Sequence, residues 1–332
     1  MEKFSQFRDR GSGISPFLPA TTPASAVSSL LHTFLFLFRL PIFMTCVAAY
    51  FLVLHHLPLP VVARKLLLWG LMGIPGIWWV DLQLDGVKRG SLSQQPPSRV
   101  PHPRSVIAAS FTSPIDALYL AAVFDPVFTI SYPGSRKVKR VGLLGAIFAA
   151  LSPAQLLPNS PPESGLTGLD ELLKKYPDRV IAVFPECGTT NGKGVLPFSP
   201  SLLNVPADVH IFPVSMRYTP PDITTPVPGA WVTFLWKLLG RPTHSLRVRI
   251  AEGIYNTSKA ANGVARGETT GTDFGGSRRS PSEHSEGELT DEEQRVLDRV
   301  AEALARLGRN KRVGLTLRDK AAFVEAWKKG RK

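Results

Sequence analysis

Cysteine is nearly absent from this 332-residue chain. The only two are Cys46 in an apolar segment and Cys187 in a polar loop, a pairing that gives no disulfide framework and suits a cytosolic face. Histidine is scarce, with seven residues, and no His or Cys residues stand at zinc-ligand spacing, so no metal is expected. The chain has no internal repeat and no nucleic-acid motif. Acidic residues are in deficit, 26 against 39 Lys and Arg, and the resulting net charge of +13 favours anionic partners such as a membrane surface or a phosphorylated substrate. Nucleic acid would rest on charge alone and is not an expected partner. What is abundant is apolar residues, 44% of the chain, enough for a sizeable core.

Residues 1–25 are polar and rich in Ser, Thr and Pro, and are expected to be disordered. Segment 26–85 then reads as membrane anchor helices in two apolar stretches. In the first, Ala26 to Leu59, Arg39 and Pro41 split the run; the whole is long enough to span a bilayer if Arg39 snorkels or pairs, whereas Ile42 to Leu54 alone falls short of roughly 20 residues. The second, Val61 to Val80, carries Arg64, Lys65, Trp69, Trp78 and Trp79, the mixture favoured at a membrane interface. Together they read as an embedded or re-entrant helical pair, with core helices as the plainer alternative. A secretory signal would begin nearer Met1.

Behind a linker at 86–104, residues 105–255 alternate strand and helix patterns, which predicts an α/β core with a mixed sheet flanked by helices. Residues 256–289 are poor in apolar side chains and read as a disordered insertion, and 290–332 as C-terminal helices with a basic tail. Two stretches carry the chemistry. Ser105 to Ala109 is a strand running into Phe111-Thr112-Ser113-Pro114-Ile115-Asp116, where Ser113, Pro114 and Asp116 suit N-cap, first and third helical positions. Asp116 therefore has a structural role available as a capping-box acid. Val180 to Val183 is a buried strand ending at Phe184-Pro185, and the loop beyond it, Cys187 to Gly194, is dense in glycine, hydroxyls and backbone N–H groups. Such a loop lets a ligand approach the main chain, although an ordinary turn has the same composition.

The order of these pieces, with Ile211-Phe212-Pro213-Val214 after them, resembles the glycerolipid acyltransferases of the lysophosphatidic acid acyltransferase type. Within these it resembles a fungal branch associated with the endoplasmic reticulum and lipid droplets. The family's Phe-Pro-Glu-Gly-Thr motif stands here as Phe184-Pro185-Glu186-Cys187-Gly188, with Cys187 and Gly188 replacing Gly and Thr, and Thr189-Thr190-Asn191-Gly192, which matches the motif's extension, leads to Lys193. Its His-x4-Asp motif, in which histidine is the general base on the acceptor hydroxyl, keeps the acid at Asp116 but has Phe111 in the histidine position. His102, His210 and His244 are no evident replacement, leaving water, a substrate phosphate or Glu186 as the base. The family's phosphate-binding arginine motif is half matched: Gly145-Ala146-Ile147-Phe148 resembles its apolar lead, and Leu151 stands at the arginine. Arg136, Lys137, Lys139 and Arg140 are a nearby basic run, readable as phosphate-binding or simply solvated.

The resemblance implies a membrane-bound O-acyltransferase with no cofactor, taking acyl-CoA as co-substrate and a lysophospholipid, lysophosphatidic acid, as acceptor. Membrane lipids would be its partners. It would sit on the endoplasmic reticulum membrane and lipid droplets with the catalytic domain facing the cytosol. Asp116 and Glu186 would be catalytic. Thr112, Ser113, Pro185, Cys187, Gly188, Thr189, Thr190, Asn191, Gly192 and Lys193 would bind substrate, the loop amides and Lys193 holding the acceptor phosphate. The competing expectation is a non-catalytic lipid-binding or lipid-droplet protein that keeps the fold without the base.

Overall fold

The computed structural model describes residues 2–22, 26–87, 96–153, 165–258 and 289–330. Linker residues 88–95, loop 154–164, insertion residues 259–288 and the last two residues of the basic tail lie outside the described residues. Two helices, α1 (Ala26–Leu52) and α2 (Val61–Gly73), come first. They are followed by β1 (Trp79–Leu84), β2 (Val106–Ala109), α3 (Pro114–Phe124), β3 (Val127–Ser131), β4 (Val138–Val141) and α4 (Leu143–Leu151). Then come β5 (Leu166–Thr167), α5 (Leu169–Lys175), β6 (Ile181–Val183), β7 (Gly194–Val195), β8 (His210–Thr219), α6 (Trp231–Gly240) and β9 (Ser245–Ile250). The chain ends with β10 (Ile254–Tyr255), α7 (Asp291–Gly308), β11 (Lys311–Arg312) and α8 (Leu317–Lys329).

The main sheet runs β1-β9-β8-β2-β6-β3-β4-β5, with β10 added on β8. It is mixed: β2 is parallel to both β6 and β8, whereas β8 and β9 are antiparallel. β2 is buried along its whole length, as its unbroken Val-Ile-Ala-Ala run requires of a central parallel strand. β9 instead buries Leu246, Val248 and Ile250 and leaves Ser245 and Arg247 exposed, the half-buried alternation read from its sequence.

Successive strand residues feed opposite cores. Ile107, Ala109 and Ala182 pack under α1, α2, α3, α4 and α6. Val106, Ala108, Ile181 and Val183 pack against α5 and α7. The architecture is thus the expected α/β layering, with a mixed sheet between helices and an apolar N-terminal helix in front.

Several boundaries differ from the sequence reading. Pro41 does not split the first apolar stretch, and α1 runs through it. Just before Pro41 the helix is held against α6: Phe36 lies 4.9 Å from Trp236 between ring centroids, and Arg39 donates to the carbonyls of Arg241 (2.6 Å) and Pro242 (3.1 Å) beyond the end of α6. Val27–Leu52 is long and apolar enough to cross a membrane. It leaves Leu30, Phe34 and Leu37 exposed, and Val232 and Trp231 on the adjoining α6 are exposed with them.

The second stretch is only partly helical. Its last residues, Trp79 and Val80, pair with Ser245 and Leu246 at the edge of the sheet, so the α/β core begins inside segment 26–85. The basic run at 136–140 is not just surface, because Val138, buried among charged neighbours, makes β4 a strand of the sheet.

The expectation of disorder over residues 1–25 is also corrected for the described part. Phe7 and Phe17 bury against Phe323 of α8, at ring-centroid distances of 5.3 and 6.0 Å. These aromatic anchors outweigh the polar composition around them.

Candidate active site

The site is built where the ends of β2 and β6 meet. Ser113 is the N-cap of α3, Pro114 its first residue and Asp116 its third, and the reciprocal capping box is complete. Asp116 is fully buried. Its Oδ2 accepts from the amides of Thr112 (2.6 Å) and Ser113 (2.9 Å) and from Thr112 Oγ1 (3.1 Å), and its Oδ1 from the hydroxyl of Tyr218 on β8. Burial pushes its carboxyl up to about 6, and these donors restrain the rise. Ser113 Oγ donates to Ile223 O at 2.8 Å. The acid, Thr112 and Ser113 are therefore committed to shaping the turn.

Glu186 is equally buried, accepting from Leu196 N at 3.1 Å and, more loosely, from Phe111 N at 3.4 Å. Burial pushes it up to about 8, with nearby Asp116 adding to the rise and Lys320 opposing it. Phe111 occupies the base position with its ring stacked on Phe184, centroids 4.4 Å apart. Both rings wall a cavity of about 160 Å³, together with Ser131, Phe148, Cys187 and Gly188. Phe148 and Ser152 also line a larger apolar cavity of about 550 Å³ between α1, α3, α4 and α6. Neither Asp116 nor Glu186 is among the lining residues.

The loop after Phe184 is less open than its composition predicts. Cys187 has φ +55°, in the left-handed region, which explains the glycine usual at this place in the motif. Burial pushes its thiol up to about 12, so it is no ready nucleophile. Its amide donates to Phe184 O at 3.1 Å, and Pro185 O accepts from Ser199 N at 2.9 Å. Thr189 Oγ1 donates to Thr225 O (2.6 Å), and Thr190 N to Phe111 O (3.0 Å).

Asn191 is held by the N-terminal segment. Its Nδ2 donates to the carbonyls of Ser15 and Leu18 at 2.8 Å each, and its amide to Pro16 O at 2.8 Å. Gly192 N and Lys193 N donate to Thr190 Oγ1 (3.3 Å) and Asn191 Oδ1 (3.1 Å), and the Lys193 side chain is exposed. The expected phosphate cradle of loop amides is thus largely spent on internal bonds. The amides of Gly188 and Thr189 have no protein acceptor among the described residues.

The other basic and imidazole groups lie elsewhere. Arg136 makes a two-pronged ion pair with Glu293 of α7 at 2.7 and 2.9 Å, and Arg140 lies 4.9 Å from the Tyr176 ring. Leu151 lines the larger cavity, in keeping with its apolar character. His102 and His210 neighbour each other, 5.5 Å between ring centroids, and His244 is buried on Leu238 O. None of the three lines either cavity. Sequence reading missed Tyr218, Thr225 and Lys320. Lys320 alone had a signal, since it interrupts the apolar stripe Leu317, Phe323, Val324 and Trp327 of α8.

Comparison with known proteins agrees with the geometry. The acyltransferase family matches residues 93–217, the span that holds both motif turns. The chain carries an acyltransferase domain over this span. A Schizosaccharomyces pombe protein provisionally named lysophosphatidic acid:oleoyl-CoA acyltransferase is 25% identical over 260 residues, covering 76% of this chain and 84% of its own length. No solved structure matches this acyltransferase. The domain match and this relative support acyl-transfer chemistry in lipid metabolism. Phe111, Cys187 and Leu151 are departures from the resembled motifs in this chain.

Proposed function

We propose that this acyltransferase moves a fatty acyl group from acyl-CoA to the free hydroxyl of a lysophospholipid, lysophosphatidic acid, releasing coenzyme A and forming phosphatidic acid. The observation that carries this reading is the pair of adjoining cavities. The small one, walled by Phe111, Phe184 and Gly188, suits the thioester carbonyl, and the apolar one of about 550 Å³ suits its chain. Gly188 N and Thr189 N are the donors left over to stabilise the oxyanion that forms when the hydroxyl attacks. Asp116 and Glu186 hold the two turns rather than touch the reacting atoms. With phenylalanine at the base position, the proton passes to water or to the acceptor's own phosphate. The named relative supports acyl-CoA and lysophosphatidic acid as substrates. We place the enzyme on endoplasmic reticulum and lipid-droplet membranes with this domain in the cytosol, where α1 anchors it beside both substrates.

A direct test is release of coenzyme A from oleoyl-CoA by the purified protein in mixed micelles. The reading expects release that requires lysophosphatidic acid and matches phosphatidic acid formed. Release independent of any acceptor contradicts it. One observation favours a second reading, a lipid-binding protein without catalysis: the Phe111–Phe184 stack fills the place of the base. That reading expects saturable lysolipid binding with no release.

A further inference from the structure

Lys320 is 2% exposed, yet it stands in the first turn of α8, where the helix dipole disfavours a cation. Its amine donates to Thr189 O at 2.7 Å and to Thr189 Oγ1 at 3.1 Å. The rest of the buried face of α8, Leu317, Phe323 and Val324, packs into the N-terminal aromatic cluster that also touches Cys187. A leucine or methionine here would avoid the desolvation of an amine, so packing alone does not account for lysine.

The peptide that Lys320 holds continues into the site. Thr189 O accepts from Lys320, the next amide, Thr190 N, donates to Phe111 O at 3.0 Å, and Phe111 N donates to Glu186. The chain of hydrogen bonds thus runs from Lys320 through the Thr189–Thr190 peptide and Phe111 to Glu186.

We propose that Lys320 is a positioning residue of this acyltransferase, a lock by which the C-terminal helix fixes the Thr189–Thr190 peptide against Phe111. The proposal rests on the acyl-transfer reading for its effect on rate, but not for its effect on structure. The ionisable groups gathered here are Asp116 of α3, bonded to Tyr218 of β8, then Glu186 and Cys187 of the loop, and Lys320 of α8. Of these, Lys320 alone can carry positive charge.

The test uses full-length protein in detergent with Lys320→Met, which removes donor and charge, and Lys320→Gln, which keeps a donor. Both are first shown to be folded by thermal unfolding. In Lys320→Met the amides of Phe111 and Thr190 are expected to exchange hydrogen roughly tenfold faster, with the sheet amides unchanged. Lys320→Gln is expected to be less affected. With oleoyl-CoA and lysophosphatidic acid, kcat of Lys320→Met is expected to fall roughly tenfold with KM within about twofold. Unchanged exchange in folded Lys320→Met overturns the lock, and unchanged kcat overturns its role in transfer. If the unmodified protein transfers to no acceptor, the acyl-transfer reading fails instead, and the exchange measurement alone decides the lock.

Discussion

Cys187 shows how one residue can depart from a motif and keep its backbone. At φ +55° a side chain costs about 1–2 kcal/mol, whereas glycine has the freedom but loses about 0.5–1 kcal/mol of chain entropy. Cys187→Gly should therefore be at least as stable as Cys187→Ala, the reverse of the usual order, by denaturant unfolding. Asp116 is the opposite case, since buried donors converge on its carboxylate. Asp116→Ala strands the buried amides of Thr112 and Ser113 and the Tyr218 hydroxyl, and should cost at least about 2 kcal/mol in the same measurement.

The pH dependence of the buried cluster follows from the signs of its shifts. Glu186 is raised from 4.5 to about 8, so its contribution to stability is present below pH 4.5 and lost as pH rises through 8. Asp116, raised from 3.8 to about 6, has the same sign at lower pH. Lys320 is depressed from 10.5 to about 7 by burial, and its contribution is present above 10.5 and lost as pH falls through 7. The cluster therefore weakens the fold as pH rises towards 7 and recovers its stability from 8 towards 10.5. In Lys320→Met the alkaline recovery should vanish and the earlier fall remain, which unfolding measured across this range will show.

Among the elements, α1 depends most on contacts that no local pattern displays. Arg39, placed mid-helix in an apolar run, meets the carbonyls of Arg241 and Pro242 just beyond α6. Arg39→Met should lower stability by about 2 kcal/mol in detergent, since these bonds carry a full charge. The helix-capping residues of α3, the β-branched strand at 181–183 and the alternation of β9 were all legible in sequence, because their causes lie within a few residues. The turn from α2 into β1 was not, because what makes Trp79 and Val80 a strand is pairing with residues some 165 positions later. The N-terminal segment was hidden for the same reason, its order depending on Phe323 at the far end of the chain. The candidate site divides likewise. Asp116 and the Phe184–Glu186 turn declared themselves by motif, whereas the commitment of Thr189 and Asn191 to Thr225, Ser15 and Leu18 arises only in the folded chain.

At the scale of the whole molecule, the exposed apolar side chains of α1 and α6 lie on the helical layer that also encloses the larger cavity. An acyl chain in that cavity would lie alongside the anchor, with the two motif turns at its inner end. Replacing the exposed Leu30, Phe34 and Leu37 of α1 together by serine should therefore weaken flotation with phospholipid vesicles, a result to be compared with the unmodified chain at matched salt.

The account centres on acyl transfer by a chain that has phenylalanine where the resembled motif has its base. The decisive measurement is phosphatidic acid formation from oleoyl-CoA and lysophosphatidic acid by the purified, unmodified protein, beside a folded Phe111→His variant. Product from the unmodified protein is the predicted result. No product from it, with product from Phe111→His, would contradict the account and mark a fold kept for binding lipid after its chemistry had lapsed.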